Sequence, residues 1–304
     1  MRIGLGIMSG SSTALASEQV AQAREEGFAA AWFSHIFGLD ALTAAAVTGA
    51  RNEGIDIGTF VVPIYTRHPL TMAQQAATVQ DACGGRFTLG IGLSHQVVIE
   101  SMMGISFEKP ASTMREYLSV IMPLLEAGSV SFAGDIYTVN GMLERPEGFT
   151  RPPVLIAALG PVMLAMAGTL ADGTATWMTG PKTLAAHIVP TIVKAAAGAG
   201  RPAPRIVAGL PVCVTADAEA ARERAGRVFA IYGGLPSYRA MLDREGAEGP
   251  ADVSLVGTED EVADALRSMR QSGVTDFVAA PFGTPDEMAA TRGVLVAVGG
   301  EVGR

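Results

Sequence analysis

The sequence predicts an α/β protein: a (β/α)8 TIM barrel, with residues 1–304 forming one domain. Three observations carry this. Eight short aliphatic runs each precede an Ala-rich stretch of helical character. The runs are apolar almost without interruption, as strands of a parallel sheet covered on both faces must be. Eight such units over ~250 core residues suit a closed barrel. An open doubly wound sheet would carry fewer strands and a cleaner glycine fingerprint.

The elements follow in order. "RIGLGIM" (2–8) precedes a helix over 17–27 that opens on Ser17, and "AAAWFS" (29–34) precedes one over 40–52 with Asp40 as its N-cap. "IDIGTFVVPI" (55–64) leads to a helix over 69–83, where Pro69 suits the first turn. "RFTLGIG" (86–92) precedes a helix over 112–127, and "PVLIAAL" (153–159) gives way at Gly160-Pro161 to "VMLAMAGTLA" (162–171). "GTATWMT" (173–179) precedes a helix over 181–198, and "RIVAGLPVCVT" (205–215) a charged helix from 217. "TDFVAAPF" (275–282) precedes the last, over 286–298. The stretches 93–111, 128–152 and 234–258 follow neither period and read as insertions.

Composition narrows the class. A hydrophobic fraction of 49% with 17% charged residues supplies ample core and excludes disorder. A net charge of −8 argues against nucleic-acid or anionic-membrane partners, leaving a small-molecule substrate. Cys83 and Cys213 stand far apart with no ligand-spaced neighbour, as buried reduced thiols of a cytoplasmic protein do. "MRIGLGIMSGSS" reads as a first strand rather than a signal peptide. The uncharged span 154–171 is cut by Gly160-Pro161 into a strand and a helix, so it does not read as a membrane segment.

Barrel active sites lie at the C-terminal ends of the strands. Those positions here are Ser9 and Gly10, Ser34 and His35, Phe60 to Pro63, Gly92 to His95, Leu159 to Pro161, Met178 to Gly180, and Pro281 to Gly283. They offer no carboxylate pair, no metal-ligand cluster and no strand-end lysine, which excludes glycosidase, metal and Schiff-base chemistry. Trp32, Phe33, Phe37, Trp177 and two histidines suit a flat organic cofactor, with Met8 and Met178 as further lining. "AALGP" and "MTGP" each end a strand and open a helix, so their free N–H groups favour an anion. The two turns together would hold one phosphate, with Thr179 adding a hydroxyl. Arg67 and His68 of "YTRHP" read as loop and cap residues, Arg67 within reach of an acidic cofactor tail, and His187 as structural. In "RFTLGIGLSH" (86–95), His95 stands where a dinucleotide fingerprint needs its third glycine.

Residues 55–95, and "YTRHPLTMAQQAATVQDACGGRFTLGIG" within them, resemble the bacterial luciferase-like superfamily, in particular its branch using the deazaflavin coenzyme F420. "LIAALGPVMLAMAGTLADGTATWMTGP" (155–181) and residues 255–282 resemble that family's phosphate-binding strands and closing unit. The resemblance implies a luciferase-like (β/α)8 barrel, often dimeric, with coenzyme F420 in the mouth and FMN as the alternative cofactor. It implies a cis peptide at Phe60-Val61 backing the ring, and a phosphate on Ala158, Leu159, Gly160 and Pro161, completed by Thr179 and Gly180. His35, Gly92, Ser94 and His95 would line the same site. Two positions depart from the pattern. In "WFSHIFGLD" His35 takes the place of the family's aspartate and Ile36 that of its histidine, and His95 replaces an acidic residue after the fourth strand. The departures turn the reading away from sugar-phosphate and methanopterin substrates. They leave His95 and His35 as candidate catalytic groups, since imidazole titrates near neutrality. The expected activity is hydride exchange between F420 and a small electrophile. The alternatives are an FMN-dependent monooxygenase and a non-catalytic deazaflavin-binding protein.

Overall fold

The structure, a computed structural model, describes residues 1–7, 10 and 12–301. Met8 and Ser9, expected at the mouth, lie outside the described residues. β1 (Arg2–Ile7) is followed by α1 (Thr13–Glu26), β2 (Ala30–Phe33) by α2 (Ala41–Arg51), and β3 (Asp56–Thr59) with its continuation β4 (Val62–Pro63) by α3 (Pro69–Ala82). β5 (Phe87–Gly92) leads through a π-helical turn (Val97–Met102) to α4 (Pro110–Ala127). The hairpin β6 (Ser129–Ala133) and β7 (Thr138–Met142) precedes β8 (Val154–Ala157) and α5 (Pro161–Leu170). β9 (Gly173–Trp177) feeds a helical rod made of α6 (Pro181–Thr183), a π-helical turn (Leu184–Ile188) and α7 (Val189–Gly198). After β10 (Arg205–Val214) come α8 (Ala218–Val228), α9 (Ala230–Gly233), α10 (Pro236–Glu245), α11 (Pro250–Val253) and β11 (Leu255–Gly257). The described chain closes with α12 (Glu259–Gln271), β12 (Asp276–Pro281) and α13 (Pro285–Gly300).

The strands run parallel around a ring, β1-β2-β3-β5-β8-β9-β10-β12, and β12 pairs back onto β1. With β4 continuing β3 and pairing with β5, this is the predicted closed eight-stranded barrel. β11 hangs outside it on the far end of β10. The apolar span 154–171 is strand then helix, and no helix among the described residues is long and apolar enough to cross a membrane.

Local chemistry explains the boundaries. Asp40 caps α2 as predicted, accepting from Thr43 N at 2.9 Å. α1 begins a turn before the predicted start, because Ser12 rather than Ser17 caps it, accepting from Leu15 N. The insertion 128–152 is a hairpin whose turn is held by Glu116, a carboxylate accepting three backbone N–H groups from Asp135, Ile136 and Tyr137. The insertion 234–258 contains α10, α11 and β11.

Two apolar layers result. The outer one packs strands against helices, with Leu5, Ile57, Leu89, Ile156 and Leu210 among its members. The inner one fills the barrel with Trp32, Leu155, Val207 and Val278, against which Phe60 and Val61 pack. Trp32 fits because its flanking strands carry glycines: a Cβ at Gly4 would stand 2.6 Å from its Nε1, and one at Gly58 2.4 Å from its Cε3. At the N-terminal ends of the strands, Arg205 donates to Asp276 (2.7 Å) and Thr88 (2.9 Å), its guanidinium 6.0 Å from the Trp32 ring.

Between β3 and β4 the chain bulges, and the Phe60-Val61 peptide is cis. Thr59 Oγ1 spans the gap, donating to Gly90 O and accepting from Gly90 N, both at 2.8 Å. A Cβ at Gly90 would stand 2.1 Å from Thr59 O, and one at Gly92 2.8 Å from Val61 Cγ2. The glycines of "TLGIG" therefore make room for the protein's own bulge.

Candidate functional site

At the C-terminal end of the barrel a continuous aromatic wall forms. The Phe60 ring lies 6.1 Å from Trp32 and 6.4 Å from Trp177, both edge-on. Trp177 meets Phe229 at 6.3 Å and Tyr232 at 5.8 Å. Tyr232 meets Tyr238 at 5.5 Å, and Tyr238 meets the His95 imidazole at 5.2 Å. Edge-to-face contacts at these separations are the favoured aromatic geometry. Strand ends supply Phe60, Trp177 and His95, and the segment from Phe229 to α10 supplies the rest. Phe229, Tyr232 and Tyr238 are not legible as site residues in the sequence, since scattered aromatics in an aperiodic stretch carry no signal of where it folds.

The two candidate histidines occupy different settings. His95 follows Ser94, whose φ of +60° turns the chain at the end of β5. It is half-buried, and burial lowers its pKa, so the imidazole is neutral at pH 7. His35 follows β2, and its Nδ1 accepts from Ala41 N at 3.2 Å, adding a second cap to α2. Burial and then the Arg67 guanidinium lower its pKa, while Asp40, 3.5 Å from Nδ1, opposes them. With Nδ1 accepting, the proton of the neutral ring sits on Nε2. No hydrogen bond or ring contact joins the two histidines.

Arg67 is committed: it pairs with Asp40 and donates to Gln75 Oε1, so the expected reach toward an acidic tail is replaced by a structural ion pair. His68 caps α3 as expected, accepting from Leu70 N. Met178 is fully buried, packed among the residues between strands and helices.

The two glycine turns diverge. Gly160 caps α5 without any side-chain partner, and the space its Cβ would enter is empty to 4 Å. The amides of that first turn, beside exposed Gly160 and Pro161, remain open to an anion. Ala158 is buried behind it, and His187 Nε2 donates to Leu159 O at 2.8 Å, tying the rod to the turn. His187 thus braces the candidate anion turn, a role its mid-helix position did not reveal. The turn after β9 is already filled. Glu245, the last residue of α10, accepts from Lys182 N (3.0 Å) and Thr183 N (2.7 Å). Thr179 is 1% exposed and its hydroxyl donates to Trp177 O. The Thr179 hydroxyl and the amides that follow Gly180 are thus engaged within the chain, by Trp177 O and by Glu245.

The strand-end face of this barrel therefore carries an aromatic wall, two histidines whose pKa values are lowered by burial, and an uncapped amide turn at Gly160. The chain belongs to the luciferase-like monooxygenase family, whose sequence model matches residues 1–290. It is 28% identical over 286 residues to the 5,10-methylenetetrahydromethanopterin reductase of Methanolobus tindarius, covering 91% of this chain and 85% of that one. It is 27% identical over 289 residues to a putative coenzyme F420-dependent oxidoreductase of Mycobacterium tuberculosis, covering 90% and 81%. The solved F420-dependent tetrahydromethanopterin reductase of Methanopyrus kandleri superposes with a TM-score of 0.82 at 23% identity, covering 97% of each chain.

Proposed function

We propose that this protein is an oxidoreductase exchanging a hydride between coenzyme F420 and a small, uncharged organic electrophile such as an enone, imine or quinone. The observation that carries the reading is similarity along nine-tenths of the chain to F420-dependent relatives, in a protein whose α5 turn is open. The residues present fit the cofactor. Gly160 and Pro161 leave an uncapped, exposed cradle for a phosphate, with Leu159 beside them and Ala158 buried behind. Phe60 and Val61 back the ring from the bulge, and Gly92 and Ser94 shape the adjoining edge. When bound, coenzyme F420 supplies the hydride chemistry.

The chain's own groups do the rest. The aromatic wall excludes water and orients a planar reactant. Hydride addition to a conjugated carbonyl or imine leaves an atom that must take a proton. We assign delivery of that proton to His95, which takes it up from solvent as imidazolium and returns to the neutral ring on transfer, its lowered pKa making the imidazolium the stronger acid.

Titration of the purified protein with F420 and FMN, oxidised and reduced, tests the reading. Saturable F420 binding is expected, and G160E, which places a bulky anion in the cradle, weakens it by about tenfold or more. Tight FMN binding without F420 binding overturns the proposal in favour of a monooxygenase. F420 binding without turnover on enones, imines and quinones shows a carrier instead of an enzyme.

A further inference from the structure

The aromatic wall carries two phenols, Tyr232 from α9 and Tyr238 from α10, with their rings 5.5 Å apart and edge-on. A buried tyrosine hydroxyl ordinarily finds a hydrogen-bond partner. Here, among the described residues, neither O–H has an acceptor, and neither oxygen is sealed inside the protein. Burial, and then the neighbouring Tyr232, push the Tyr238 phenol well above the usual tyrosine range. Burial raises Tyr232 as well, opposed in part by the Trp177 N–H, which is near its oxygen but short of a hydrogen bond. Both phenols therefore keep their protons at neutral pH. The helix behind them is firmly anchored. Glu245 accepts from Lys182 N and Thr183 N, Thr183 Oγ1 donates to Met241 O, and Arg239 donates to Ala247 O and Glu248 O. Two unpaired donors on an anchored stretch of an apolar wall are preorganised for an oxygen on which negative charge develops.

We propose that the Tyr232 and Tyr238 hydroxyls donate hydrogen bonds to the oxygen of a conjugated carbonyl substrate, an enone or a quinone. The word substrate, and the hydride, rest on the function proposed above. Hydride addition to the β-carbon of an enone breaks the C=C π bond and leaves an enolate, its negative charge largely on oxygen. The phenols donate to that oxygen without losing their protons. The His95 imidazolium then gives its proton to the α-carbon, completing the saturated ketone. An iminium ion gains nothing from the pair, because hydride cancels its charge rather than moving charge onto an oxygen. The two donors thus select conjugated carbonyls from the wider set of electrophiles.

The test uses 4-nitrophenolate, a planar oxyanion that mimics the enolate, and nitrobenzene, a ring of similar shape without that oxygen. Calorimetry titrates each into wild type, Y232F and Y238F, with and without F420. Phenylalanine keeps each ring and its packing, so a purely structural role leaves both probes unaffected. We expect 4-nitrophenolate to bind the wild type and to bind each variant about tenfold or more weakly, with nitrobenzene unchanged. No phenolate binding to the wild type, undiminished binding in either variant, or an equal loss of nitrobenzene overturns the proposal. Should one variant not fold, the other decides. If F420 does not bind, the function proposed above falls alone, and the cofactor-free series still decides the role of the phenols.

Discussion

Burial alone lowers the pKa of His95, and the Tyr238 ring is one of the groups that bury it. Removing that ring in Y238A therefore lets the His95 pKa climb back toward the usual imidazole value, which NMR titration of the ring protons reads directly. The two mouth histidines also set a stability slope. Both have folded pKa values below their unfolded ones, so the unfolded chain binds more protons in the window beneath about 6.5. Their contribution is complete above that value and is lost as pH falls through the window. Urea midpoints compared between about pH 7.5 and about pH 5.5 should fall for the wild type, and fall less for the H35Q/H95Q double variant. Both histidines were legible in the sequence because each follows a strand. Their partners were not: Ala41 N is reached through a helix cap, and Tyr238 arrives from far along the chain. Glu245 escaped for the same reason, as the final residue of a polar helix with nothing local to mark its destination.

At the level of single elements, the strand "FTLGIG" shows how pattern and purpose can separate. Its apolar run identified β5 and its boundaries, yet the glycines suggested a ligand loop. Their reason lies on the neighbouring strand, where the chain between Thr59 and Val62 bulges into the space that side chains at Gly90 and Gly92 would need. The missing Cβ at Gly90 faces backbone rather than a movable side chain, so G90A cannot be absorbed by a rotamer change. We expect it to cost about 3 kcal/mol or more by overpacking, measured by urea unfolding, with the Thr59 bridge lost. α1 taught a smaller lesson. Two serines competed for its cap, and the one with an extended backbone and a free path to Leu15 N won.

For the molecule as a whole, the β/α alternation pointed to the class of fold, because eight buried strands with covering helices suit a closed barrel better than an open doubly wound sheet. What holds the floor of that barrel was not legible, since Arg205, Asp276 and Thr88 belong to three different strands. Asp276 is buried, its side chain 6% exposed, and Arg205 is its close cation at 2.7 Å. R205M leaves that carboxylate with only Thr275 Oγ1 at 2.7 Å and Arg2 at 3.9 Å, and removes the Thr88 bond. We expect a loss of about 3 kcal/mol in urea unfolding, with the far end of the barrel unchanged in F420 titration.

Trp32, wedged between Gly4 and Gly58 above this floor, makes the barrel a cup rather than a pipe. A molecule held by this barrel therefore rests on its packed interior from the strand-end face and is not threaded through it.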